Sequence, residues 1–190
     1  MRCKSFIVSL IAAATTLSLA ACSSGGNDTK ATAPPTTAGP WDAYNATRTD
    51  YDAKANAIAK SVADRINRGG VRCSSFGGYS FAAIEESYRR QHLPLALGAG
   101  QCDAAENVLI EVFGTSPPTA ADFVAAKRAL ICQRARDLGR KPNGSSDFDG
   151  IPYVMAPDKT WIAEPDSFTG AKRVARALGL KAEDMCAGIR

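Results

Sequence analysis

The segment Asn107-Val-Leu-Ile-Glu-Val-Phe113 (NVLIEVF) is the strongest strand signal in the chain. Large apolar and β-branched residues fill it, with neither Gly nor Pro to interrupt. Side chains alternate along a strand, so Val108, Ile110 and Val112 form one row and Leu109, Glu111 and Phe113 the other. The first row reads as a core face. The charge of Glu111 points the second row outward.

Downstream, Thr119 followed by Asp122 opens a helix with Phe123, Val124, Leu130, Ile131 and Leu138 on its buried side, closed by Gly139. Residues 140–150 are rich in Gly, Ser and Asp and read as a loop. Two runs follow, Tyr153–Ala156 and Thr160–Glu164, joined by Pro157-Asp158-Lys159 as a tight hairpin. That register sets Met155 opposite Trp161 and Tyr153 opposite Ala163 on one face, with Val154 and Ile162 on the other. A last helix, Phe168–Leu178, shows Ala171, Val174, Ala175 and Leu178 on one side and ends at Gly179.

Upstream, Tyr51, Ala55, Ile58, Val62 and Ile66 mark one stripe of an amphipathic helix that Gly69-Gly70 ends. Val71–Phe76 reads as a strand broken by Gly77-Gly78. Ser80 opens a short helix carrying Phe81, Ile84 and Tyr88, stopped by Pro94. Gly98-Ala99-Gly100 is not a phosphate loop, since no Lys-Ser/Thr follows and it leads into Gln101-Cys102, and no strand is assigned to it. The resulting order of helices and strands predicts an α+β two-layer domain, an antiparallel sheet of about four strands with helices on one face.

The N-terminus gives an address. Arg2 and Lys4 precede an apolar run from Phe6 to Leu17, a positive segment and a hydrophobic segment too short to span a bilayer comfortably. It ends in Leu19-Ala20-Ala21-Cys22, then a polar, Gly-bearing string. This closely resembles the lipobox of bacterial lipoproteins. The resemblance implies that the Cys22 thiol takes a diacylglycerol thioether, that residues 1–21 are removed, and that the new amino group is acylated. Two or three acyl chains suffice for stable anchoring. The competing reading is an ordinary signal peptide with Cys22 in a disulfide. On the first reading residues 22–48 are the lipidated Cys and a flexible Ser/Thr/Pro/Gly tether, and 49–190 form a single domain. The expected location is the extracytoplasmic side of the cell membrane. The layout of residues 50–180 also resembles small actinobacterial envelope lipoproteins of unknown function.

Cys73, Cys102, Cys132 and Cys186 remain. An even set in an exported chain reads as two disulfides. A zinc site is the rival, but no pair has C-x₂₋₄-C spacing and His92 is the only histidine. Antiparallel pairing of the first two strands would join Cys73 to Cys102. Cys132 lies on the helix side away from Val124, Ile131 and Leu138, where it faces the C-terminal tail and Cys186. Once Arg2 and Lys4 leave, 21 of 23 basic residues stand against 19 acidic ones, too small an excess to argue for nucleic acid.

Catalytic patterns are weak. His92 sits in a basic helix end, and no G-x-S-x-G is present. Asp147, Asp149, Glu164 and Asp166 lack calcium-loop spacing. Arg134, Arg136, Arg140 and Lys141 lie where a helix C-terminus favours cations, the alternative being contact with anionic lipid head groups or cell-wall polymers. No cofactor, metal or catalytic residue is expected. The reading is a non-catalytic envelope binding module; the alternatives are a prophage-type superinfection-exclusion lipoprotein or an envelope hydrolase. Leu109, Phe113, Tyr153, Met155 and Trp161 together form the candidate binding patch, for an envelope protein, a lipidic ligand or a second copy.

Overall fold

The computed structural model describes residues 38–73, 75–78, 80–103, 107–137 and 150–189. Among these, six strands form one antiparallel sheet: β1 Ser75–Gly78, β2 Gly98–Asp103, β3 Val108–Val112, β4 Pro152–Met155, β5 Trp161–Pro165 and β6 Glu183–Asp184. Their order is β1-β2-β3-β5-β4-β6. The α+β class and the antiparallel sheet agree with expectation. The strand count does not: β2 and β6 add to the four strands that the sequence pattern predicts.

β2 was obscured by Gly98-Ala99-Gly100. Both glycines serve close approach within a strand, not a break. A Cβ on Gly98 would stand 2.6 Å from the backbone of Ala55 and Asn56, in the helix above. One on Gly100 would overlap the Phe76 ring, whose residue lies on the neighbouring strand.

Helix α1 (Asp42–Ala46) lies in the stretch read above as the end of the tether. It is fastened to the rest: buried Asn45 donates from Nδ2 to the Leu93 carbonyl and accepts from the Leu95 amide through Oδ1. Helix α2 (Ala53–Arg68) is capped by Asp52, whose carboxylate accepts from the Lys54 and Ala55 amides. It buries Ala55, Ala59, Val62, Ala63 and Ile66, so small alanines bring its backbone down onto β2. Ile58, placed in that stripe from sequence, is instead 43% exposed.

Helix α3 (Phe81–Arg90) leads into an irregular segment where Leu93, Leu95 and Ala96 are buried. Helix α4 (Ala120–Lys127) opens at Thr119 as expected, and Thr119 and Asp122 form a capping box, each capping the other's backbone. It runs into a π-helical stretch, Arg128–Gln133, and then α5 (Arg134–Asp137). Helix α6 (Phe168–Leu178) is capped by the Ser167 hydroxyl and ends at Gly179, whose φ of 69° is the left-handed value expected of that glycine.

Helices pack on both faces of the sheet, not one. On the first face α2 and α6 cover Val108, Ile110, Val112, Val154, Trp161 and Ala163. On the second, α4 and the segment around Leu93–Ala96 cover Phe113, Tyr153, Ile162 and Met185. Phe123 of α4 lies 5.2 Å, centroid to centroid, from Phe113 and 5.5 Å from Tyr88 of α3. Two separate apolar layers therefore enclose the sheet.

The cysteines meet in the two expected pairs. Cys73 and Cys102 have Cα atoms 5.0 Å apart, and Cys132 and Cys186 5.4 Å apart. The second pair ties the π-helical stretch to the tail behind β6, where Met185 and Cys186 are buried.

Candidate functional site

The expected binding patch is not assembled. The cause is one residue of register. Between the last cross-strand partners, Ala156 and Trp161, lie four residues, Pro157–Thr160, instead of three: the Ala156 amide donates to Trp161 O, and the Lys159 amide donates back to Ala156 O. Lys159 takes a φ of 60° to close it, and Asp158 accepts from the Thr160 amide and hydroxyl. Met155 consequently pairs with Ile162 and Val154 with Ala163. A shift of one residue sends every side chain to the opposite face. Trp161 joins the α2–α6 core, 6% exposed, while Tyr153 and Met155 face α4. Phe113 and Tyr153 are buried beneath that helix layer, and Leu109 and Met155 are half-buried. Among the described residues Ile58 alone is a large exposed apolar side chain.

Cys22, with all of residues 1–37, lies outside the described residues, as do Asp147, Asp149, Arg140 and Lys141. Of the remaining acidic candidates, Asp166 accepts from the Asn107 side chain at 3.0 Å. His92 is held at the end of α3 with a φ of 53°, its Nδ1 2.9 Å from Asp42 Oδ1. That contact and the Gly39 amide hold the Asp42 carboxyl below its usual value. No three of His, Cys, Asp and Glu come together in metal-binding geometry among the described residues.

A cluster of mutually interacting ionisable groups lies between the sheet and the second helix layer. Glu111 of β3 is the one charged residue of the segment on which the fold reading began, and it is fully buried. Its charge had marked an outer face; with α4 packed there, the face is interior. Glu164 of β5, Lys127 of α4 and Tyr88 of α3 surround it electrostatically. Lys127 Nζ pairs with Glu164 Oε2 and stands 5.2 Å from the centre of the Phe123 ring. Both pair members are well withdrawn, their side chains 15% and 12% exposed.

Burial is the main force on Glu111. With the Glu164 carboxylate adding to it, and Lys127 and Tyr88 opposing, the carboxyl is lifted to about 8. Glu111 is thus protonated at neutral pH. Neither of its oxygens has a hydrogen-bond partner, although the Tyr88 hydroxyl faces it. Burial raises the Tyr88 phenol well above its usual range, with Glu111 and Glu164 reinforcing the shift. Burial alone would weaken the proton on Lys127, but Glu164 and then Glu111 outweigh it and hold the ammonium above its ordinary value. The arrangement is a neutral acid beside a neutral phenol, with one closed ion pair. It can bind α4 to the sheet, and it contains a proton donor enclosed by protein.

Sequence alone offered one clue to this cluster. A lone Glu between Ile110 and Val112, with Phe113 following, is as compatible with an interior carboxyl as with a wet face, and only the partner helix decides.

Compared with protein-family models, curated proteins and solved structures, the chain has no significant match.

Proposed function

We propose that the chain is a lipid-anchored protein of the bacterial cell envelope, and that its folded domain is a non-catalytic binding module. The observation that carries this reading is Leu19-Ala20-Ala21-Cys22, behind a basic start and a short apolar run. Pairing of the other four cysteines of the mature chain supports it, since such bonds persist in oxidising compartments. The non-catalytic part draws on the enclosure of the most strongly perturbed groups. Glu111 lies fully inside the fold with Tyr88 partly buried over it, whereas a catalytic acid must reach its substrate.

The test is replacement of Cys22 by Ser, followed by fractionation of the cells. The parent stays with the membrane and resists extraction by salt. The variant is released or accumulates with its signal peptide uncut. Equal membrane retention of both, with normal processing, contradicts the assignment. A broad panel of hydrolase substrates, turned over by the purified protein, would contradict the non-catalytic part.

A further inference from the structure

The α2–α6 helix layer has a charge that the rest of the domain lacks. Helices α2 and α6 together carry seven Lys and Arg and a single acid, Asp64. The other described residues carry ten Lys and Arg against fourteen Asp and Glu. One face of the domain is therefore basic and the remainder acidic, although the whole is nearly neutral.

Helix dipoles account for only part of this. Arg65, Arg68 and Arg176 lie in last turns, where a cation is favourable. Lys54 lies in the first turn of α2, where a cation is not. Lys54, Ile58, Ser61, Arg65 and Arg68 follow at i, i+4, i+7, i+11 and i+14, a single exposed stripe of three cations and the one exposed large apolar residue. Arg65 reaches across to the Leu178 carbonyl, so the stripe borders α6.

On the far side of α6, Lys172 and Arg176 stand four residues apart beside Lys181, all three exposed. They rim a groove of about 590 Å³ whose apolar lining includes Phe168 and Leu180. Its two acids are engaged within the domain: Glu183 accepts from the Tyr153 hydroxyl, and Asp184 from the Ile151 and Cys186 amides.

We propose that the α2–α6 layer is the face this domain lays against an anionic phospholipid surface. Cations spread over two adjacent helices match a sheet of phosphate head groups, and Ile58 and the groove's apolar lining meet the acyl boundary behind them. The acidic remainder of the domain is repelled by the same surface, so charge sets the orientation. The membrane as partner rests on the lipid-anchor reading above; the charged face itself does not.

The test uses the chain from Ser23 onward, which lacks the lipid but keeps every described residue and both disulfides. Its sedimentation with vesicles of phosphatidylcholine alone, and of phosphatidylcholine mixed with phosphatidylglycerol, is measured at low and high salt. Binding is expected only to the anionic vesicles, and is lost at high salt. The triple variant Lys54→Gln, Lys172→Gln, Arg176→Gln should bind about a hundredfold more weakly. The control Arg90→Gln, Arg134→Gln, Arg136→Gln removes the same charge elsewhere and should stay within a few fold of the parent. Unchanged thermal unfolding in both variants excludes a folding defect. Equal losses in the two variants, binding to neutral vesicles, or no binding to anionic ones overturns the proposal. Because Cys22 is absent from this chain, failure here leaves the anchor untouched. Failure of the Cys22→Ser test likewise leaves this face untouched.

Discussion

Lys127 on α4 is ion-paired with Glu164 on β5, and the pair is largely withdrawn from water. It fastens α4 to the sheet beside buried Glu111, in a seam that is otherwise lined by Phe113, Phe123 and Ile162. Lys127→Met leaves Glu164 without its cation beside Glu111. A loss of about 3–5 kcal/mol is expected in urea unfolding, the range for breaking a buried pair from one side. Lys127→Met with Glu164→Leu should recover most of that loss. No recovery in the double variant would mean that Lys127 acts on its own and not through Glu164.

Glu111 makes stability depend on pH, and the sign follows from its raised value near 8. Below about 4.5 both folded and unfolded chains hold the proton. Between there and about 8 the unfolded chain releases it while the folded one keeps it, so stability falls as pH rises. Above about 8 the effect levels off. Glu111→Gln, neutral throughout, should flatten this slope and raise the melting temperature at pH 8 relative to the parent. An unchanged slope in the variant would place the titration elsewhere.

Trp161 was expected in an exposed patch and lies in the α2–α6 core beside Val112 and Ala163. Trp161→Ala should cost about 3–5 kcal/mol of stability. The oligomeric state, read by light scattering, should not change. A stable variant that loses self-association would restore the patch.

Gly98 carries the contact between β2 and α2. Gly98→Ala sets a methyl against helix backbone at 2.6 Å and should cost about 1–3 kcal/mol. At Gly77 nothing lies within 4 Å of the new methyl, and φ is ordinary. Gly77→Ala should be neutral or stabilise by up to ~1 kcal/mol. Reversal of that order would refute the close approach.

Local signals carried much of this fold. The Thr119–Asp122 box, the Gly179 cap and the alternation of Val108, Ile110 and Val112 are short-range chemistry, visible in the sequence and present in the structure. What failed was long-range. Gly98 and Gly100 break a strand by propensity, yet Ala55 and Phe76 require them there. Glu111 signals water by type, yet α4 and its Lys127 supply an interior where a neutral carboxyl persists. The hairpin failed on a single count, since Thr160 belongs to the loop and not to the strand. That one residue moved Trp161 through the sheet and dissolved the expected site.

The intact mass of the protein extracted from cell membranes tests the central claim most directly. The account predicts a chain that starts at Cys22 and carries a diacylglyceryl group, with two fewer hydrogens for each of the bonds Cys73–Cys102 and Cys132–Cys186. A chain cut elsewhere, or one starting at an unmodified Cys22, would contradict it.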